Sequence, residues 1–302
     1  MQVPLKHHYV PVFYLSRWVG KGGRLCQFSR PHENVMPKRC HPAQTGFSER
    51  LYEMPGLPPD RAQQIEQRFM QPVDTMAAEA LEMLETGDPR IHQEARLRSA
   101  WSRFLMSLMM RVPESIAALK GGVDKEWICR IPGLEARYAV EKGPDDPPTF
   151  QEYLDQRGPD EFERWTMVLA SRLMDHVGIG GLLNNMRWRV RTIAEADGEF
   201  LTSDRPVVMT TTLTEESAYV IMPIGPQHLF VAARDPETQR RVMDQDPADQ
   251  VKALNTLVVS RAVKFAYARD DRQLAFIQQH FGTKPRASLL ERLVAHQAKR
   301  RQ

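Results

Sequence analysis

Two adjacent imidazoles, His7 and His8, open a run that also carries Tyr9, Phe13, Tyr14, Arg17 and Trp18. A neutral imidazole ligates metals or takes a proton near neutral pH. Neighbours on an extended segment face opposite sides, so one of the two histidines can address a site while the other is structural. Far downstream lies Ser203-Asp204-Arg205-Pro206, after a run that reads as a strand. A carboxylate there can project into a crevice at the end of a sheet and bind a metal or orient an imidazole. The same residue types also cap turns. Glu66 lies at the edge of an apolar helical stripe, where a carboxylate either serves a site or pairs with a cation such as Arg68 or Arg17. Arg103 and Arg111 are eight residues apart, hence on about one helix face, and suit phosphate or neighbouring acids.

Other chemistries find less support. Cys26, His32, Cys40 and His41 contain no close C-x-x-C or H-x-x-x-H pair, so they fit no standard zinc spacing. Gly178-Ile179-Gly180-Gly181 reads as the end of a helix, which makes it neither a dinucleotide fingerprint nor a P-loop. No G-x-S-x-G elbow is present. A nuclease of the paired-carboxylate-plus-lysine type could draw on Asp197, Glu199 and Asp204, yet no Lys lies between Lys142 and Lys252.

Composition sets the frame for these residues. The 302 residues suffice for a substantial core, and 42% hydrophobic with 26% charged content is ordinary for a globular chain. Net charge is only +3, and Arg dominates the cations. That balance suits carboxylate or phosphate binding but is far from the strongly basic footprint of an obligate nucleic-acid binder. Lys299-Arg300-Arg301 reads as a solvated helix end. No apolar run reaches the ~20 residues that span a bilayer, and no secretory leader is evident. Three scattered cysteines make no disulfide framework, so the expected location is the cytoplasm, without membrane association.

The elements that must position the candidates follow from periodicity. Residues 13–18 and 24–30, separated by Gly20-Lys21-Gly22-Gly23, read as an N-terminal β-hairpin. Residues 31–59 read as a long ordered loop with one strand near 50–54. Ile65, Phe69, Val73, Met76, Ala80 and Leu84 mark a helix over residues 59–86, kinked or divided at Pro72. Leu97, Trp101, Phe104, Leu105, Leu108 and Val112 mark a second, stopped by Pro113. A short helix near 115–120 precedes a loop-rich stretch to residue 148, and a third long helix runs from Phe162 to Val177. The period then alternates, giving strands near 188–193, 200–202, 207–211, 219–223 and 229–233. Their short connections favour an antiparallel meander. A helix from Asp246, a strand at 264–268 and helices at 273–281 and 289–297 complete the chain. The fold class is α+β: an antiparallel sheet of about six to eight strands, hairpin included, packed against long helices. One domain spans 1–302, with 1–58 the hairpin and loop, 59–185 the helical layer and 186–302 the sheet and C-terminal helices. Leu289, Leu290, Leu293 and Val294 form an amphipathic face able to pair with a second copy. Oligomeric state is otherwise open.

Several of these segments resemble the bacterial domain-of-unknown-function 4238 family. The carriers are His8-Tyr9-Val10-Pro11 with Tyr14-Leu15 and Trp18, Leu51-Tyr52 followed by Ile65-Glu66, the helix with Arg103 to Arg111, Leu201-Thr202-Ser203-Asp204-Arg205-Pro206, and Val263-Lys264-Phe265-Ala266-Tyr267. Trp18 stands where Phe is commoner in the family, and Asp74 is the nearest match to a second acidic residue after Glu66. The resemblance implies a shared fold and selects His8 over His7 as the site histidine; it brings no activity with it.

Two readings follow. In the first, the chain is a hydrolase of a phosphodiester or another nucleic-acid-like anionic substrate. His8, Asp204 and Glu66 converge as catalytic groups, and they also form the candidate ligand set for a divalent metal. Arg17, Arg111, Tyr14 and Ser203 then hold the substrate. In the second, the chain is a non-catalytic binding or regulatory module of a defence or toxin-related system, recognising nucleic acid, another phosphate-bearing ligand or a protein. The polar residues are then structural pins. The two part on whether His8 and Asp204 meet in space.

Overall fold

A computed structural model describes residues 5–157, 160–210, 212–292 and 295. In chain order the first half contains β1 (Lys6–His8), α1 (Val12–Leu15), β2 (Leu25–Ser29), β3 (Met36–Cys40), β4 (Phe47–Glu49), α2 (Pro59–Ala62), α3 (Gln71–Thr86), α4 (Ala95–Met110) and α5 (Pro113–Glu141). There follow α6 (Phe150–Arg157), α7 (Glu161–Met174), α8 (Val177–Asn184), β5 (Arg187–Thr192), β6 (Thr202–Ser203), β7 (Val208–Met209), β8 (Tyr219–Gly225) and β9 (His228–Ala233). Last come α9 (Pro236–Met243), α10 (Pro247–Ser260), β10 (Ala266–Ala268) and α11 (Leu274–His280). The class is α+β, with antiparallel pairing throughout the described sheets. Among the described residues no helix is long and apolar enough to cross a membrane.

The strands form three sheets in place of one: β1-β4, β3-β2-β10-β6 and β5-β9-β8-β7. In the sheet β5-β9-β8-β7 the central strands β8 and β9 are buried on both faces, and their alternation shows how. Val220, Met222, Phe230 and Ala232 face the helices α3 and α4 through Trp101 and Phe104. Ile221, Leu229 and Val231 face α9 and α10 through Val242, Leu254 and Val258. A period of two sends successive side chains into two different cores. The expected five-strand meander therefore loses β6, which leaves to pair with β10. Short connections give strand direction, but the partner here is set by a segment more than sixty residues away.

Three further expectations change. Residues 13–18 are helical, as α1 and a 3-10 turn at Ser16–Trp18. Tyr14 and Trp18 are spaced for one helix face, their rings 5.1 Å apart, and the hairpin partner of β2 is β3. The loop expected after residue 120 is instead the body of α5. Gly121, Gly122 and Gly133 lower its intrinsic propensity, but Tyr138 stacks with Phe150 and Tyr153 across the turn that follows it. The Gly178–Gly181 run opens α8, capped by the His176 ring accepting from the Ile179 amide. The division expected at Pro72 falls just ahead of it. A π-helical turn, Glu66–Met70, joins α2 to α3, with Pro72 in the first turn of α3. Leu293, Val294 and the tail Lys299-Arg300-Arg301 lie outside the described residues.

Candidate functional site

Strand β1 decides the fate of the two histidines. His7 points inward and is fully buried. Its Nδ1 accepts from the Tyr52 amide at 2.9 Å, so Nε2 carries the proton and donates to Gln63 Oε1 at 2.6 Å. The His7 and Tyr52 rings stack at 5.5 Å. His8 faces the other way, half-buried against Phe47. Its hydrogen-bond partner is the Ala43 backbone, while Nε2 is buried with no partner among the described residues. Burial lowers the His8 pKa below the usual imidazole range, against the Ala43 bond; the charges of Arg111, Lys6 and His7 lower it further. His8 is a neutral imidazole with an open lone pair. The strand stays close to the next turn because Tyr9 and Val10 both donate to the Gly46 carbonyl, at 2.8 and 3.0 Å.

Arg111, whose charge reaches His8, ends α4 and is fully buried. Its Nη1 donates to Asp74 Oδ1 at 2.9 Å, and its carbonyl accepts from the Tyr52 hydroxyl at 2.8 Å. The other edge of the guanidinium, Nε with Nη2, is buried and unpartnered among the described residues. That edge is the fork which receives a carboxylate or phosphate through two parallel bonds. Glu66, first residue of the π-helical turn, belongs to the same electrostatic group: Asp74 and Arg111 both act on it. Its carboxyl is pushed up to about 7, first by burial and then by Asp74, against the opposing pull of Arg111 and a hydrogen bond with Gln71. Oε2 of Glu66 has no partner among the described residues, nor has the Tyr9 hydroxyl. Burial, with the negative charges of Asp204 and Glu114, raises the Tyr9 pKa, so the phenol stays protonated. Buried polar atoms are almost always satisfied by protein, water or ligand. Unpartnered atoms of this kind concentrate at the junction of β1, the π-helical turn and the end of α4.

The remaining candidates have protein partners. Asp204 follows β6 and is buried; Oδ1 accepts from the Val263 amide at 3.0 Å, and Oδ2 from the Lys264 and Phe265 amides at 2.5 and 3.1 Å. Burial pushes its carboxyl up to about 6 in spite of these three bonds. Asp204 acts on Tyr9, and is not among the charges that set the His8 pKa. Ser203 Oγ donates to the Val258 carbonyl at 3.0 Å and accepts from the Arg205 amide at 3.1 Å. The Tyr14 hydroxyl lies 2.7 Å from Thr202 Oγ1 and donates to the Pro223 carbonyl at 2.7 Å, tying α1 to strands of two different sheets. Arg17 forms a two-bond pair with Glu85 on α3, at 2.8 and 2.9 Å. Arg111 thus acts on both His8 and Glu66 and links them, with Asp74 as the carboxylate bonded to it; Asp204 acts on Tyr9. The expected ligand set does not assemble: among the described residues no three His, Cys, Asp or Glu side chains are grouped to hold a metal ion. Burial raises both described thiols, Cys26 to about 11.

Comparison with protein families accounts for where these residues lie. The sequence model of the family described as "Protein of unknown function (DUF4238)" matches residues 6–272. The chain belongs to this family. The match runs from β1 to just before α11, so every member of the His8–Glu66–Arg111 group lies within it. No curated protein and no solved structure matches the chain significantly.

Sequence reasoning missed the groups that complete the arrangement. Tyr52 and Gln63 hold His7, and Asp74 holds Arg111 from about two turns beyond Glu66. Tyr9 and Tyr52 stood inside the segments that carry the family resemblance, and Asp74 stood only as the nearest match to a second acidic residue. Nothing in spacing alone assigns Asp74 to an arginine thirty-seven residues away.

Proposed function

We propose that this DUF4238 chain hydrolyses a small anionic ester, best a phosphate ester, at the unpaired edge of Arg111, with His8 and Glu66 as the acid–base pair. The observation that supports this reading is the unpaired Nε/Nη2 fork of a fully buried arginine, set among a neutral imidazole and a carboxyl poised near neutrality. In this reading Arg111 grips two non-bridging oxygens while Asp74 fixes its other edge. His8 Nε2 takes a proton from the attacking water as the new P–O bond forms. Protonated Glu66 gives its proton to the departing alkoxide as the ester P–O bond breaks, so the proton balance closes. Asp204 works at a distance, by shaping the loop beside Tyr9. The net charge of +3 is too small to track a polymer; a free ester or a strand end fits better.

The test is turnover of p-nitrophenyl phosphate and bis-p-nitrophenyl phosphate by the wild type and by His8→Ala, Glu66→Gln and Arg111→Met. Expected are losses of ~100-fold or more in kcat for the first two, with a bell-shaped pH profile. Arg111→Met loses affinity as well. Specific binding of either ester without turnover supports the other reading, a non-catalytic module, which the protein-bound states of Asp204, Arg17 and Tyr14 favour.

A further inference from the structure

On the far side of Glu114 from Tyr9 the molecule has a second unexplained feature. A solvent-connected cavity of about 60 Å³ opens between the end of α4, the segment after β6 and residues 286–292. Leu108, Val112, Val207 and Met209 give it an apolar floor, and four guanidinium groups, Arg205, Arg261, Arg286 and Arg292, stand around it. Arg205 is anchored: Nη1 donates to the Arg286 carbonyl at 2.7 Å, with Glu291 3.6 Å and Glu114 3.9 Å away. The other three make no side-chain hydrogen bond or ion pair with the described residues. The Nε atoms of Arg205 and Arg292 are buried and unpartnered.

Like charges gathered on an apolar floor destabilise one another unless something neutralises them. Burial lowers the pKa of both Arg261 and Arg292, and the charge of Arg286 lowers each further, which expresses the same repulsion. Two carboxylates, both spent at Arg205, leave the cluster with a surplus of positive charge. Guanidinium forks are matched to phosphate oxygens, and the floor is matched to an apolar substituent.

We propose that this cleft binds a phosphate monoester dianion carried on an apolar body, as a binding site separate from the His8–Glu66–Arg111 group. The phosphate sits among Arg205, Arg261 and Arg286, and the apolar part lies on Val207 and Met209.

The experiment is calorimetric titration of the full chain with phenyl phosphate, inorganic phosphate and benzyl alcohol, in the wild type and in Arg261→Gln and Arg286→Gln. Phenyl phosphate should bind about tenfold more tightly than inorganic phosphate, and benzyl alcohol should not bind measurably. Each glutamine variant should weaken phenyl phosphate about tenfold, while hydrolysis at the first site, where it occurs, is unchanged. Both variants should fold at least as well as the wild type, because they remove repulsion and no hydrogen bond. Melting curves at low salt check this. Phenyl phosphate affinity that is unchanged in both folded variants overturns the site, and equal affinities for phenyl and inorganic phosphate overturn the apolar component.

Discussion

Replacing Glu66 by Gln should stabilise the protein at alkaline pH while removing the proton donor assigned to it. Burial and the neighbouring Asp74 carry the Glu66 carboxyl from its ordinary 4.5 to about 7 in the folded chain. Between these values the folded state keeps a proton that the unfolded state has released, so stability falls as pH rises. The displacement corresponds to about 3 kcal/mol, all of it present below pH ~4.5 and lost above pH ~7. Gln has the same shape and never ionises, and Oε2 has no protein partner for the amide to lose. Chemical denaturation of both proteins from pH 4 to 9 should give equal stabilities at the acid end. The variant should gain progressively to about 2–3 kcal/mol by pH 8, a rise of about 3–5 °C in Tm. A difference independent of pH, or a variant less stable than wild type at pH 8, refutes the assignment of an ionisable, unsatisfied carboxyl at this position. A gain in stability coupled to a loss of turnover is the signature of a group kept for function at the expense of the fold.

Other perturbations separate architecture from chemistry. Asp204→Ala strands three loop amides and should cost roughly 3–5 kcal/mol by urea denaturation, with hydrogen exchange accelerating at residues 263–265. Tyr14→Phe loses the link to Thr202 and Pro223 and should cost about 1–2 kcal/mol, with turnover of any accepted ester unchanged once the protein is folded. Gly46 has φ +67°, and an added Cβ meets the Val10 carbonyl oxygen at 2.9 Å. Gly46→Ala should therefore cost more than about 1 kcal/mol and loosen the His8 strand, seen as lost amide protection at Tyr9 and Val10. Arg111→Ala leaves Asp74 without its guanidinium and should cost about 3–5 kcal/mol, whereas Arg17→Ala, at a partly buried two-bond pair, should cost about 1–2 kcal/mol in the same denaturation assay.

What the sequence conveyed about this fold was periodic, and what it withheld was pairing. The apolar stripe from Leu97 to Leu108 marks α4, and alternation from Trp188 onward marks β5, β8 and β9. Residues 13–18 deceive because a short aromatic run fits a strand or a helix, and only the pocket between two sheets, where Tyr14 and Trp18 are held, selects the helix. The length of α5 was hidden by its glycines, which weaken propensity without forbidding a helix. His8 and Glu66 are discernible as candidates, since each is a titratable group on an otherwise apolar or aromatic segment. The Asp204 motif is equally visible, and its chemistry is spent on a loop: no local pattern distinguishes a carboxylate that meets a ligand from one that meets three amides. Arg261, Arg286 and Arg292 have no sequence signal at all, because two separate segments bring them to one cleft.

The account stands or falls on the buried fork of Arg111. A crystal of the full chain soaked with tungstate, an anomalous scatterer that mimics phosphate, tests it most directly. The account places a tungstate with two oxygens about 3 Å from Arg111 Nε and Nη2, flanked by His8 Nε2 and Glu66. A fork occupied only by ordered water at saturating tungstate, with His8 and Glu66 turned away from it, contradicts the account.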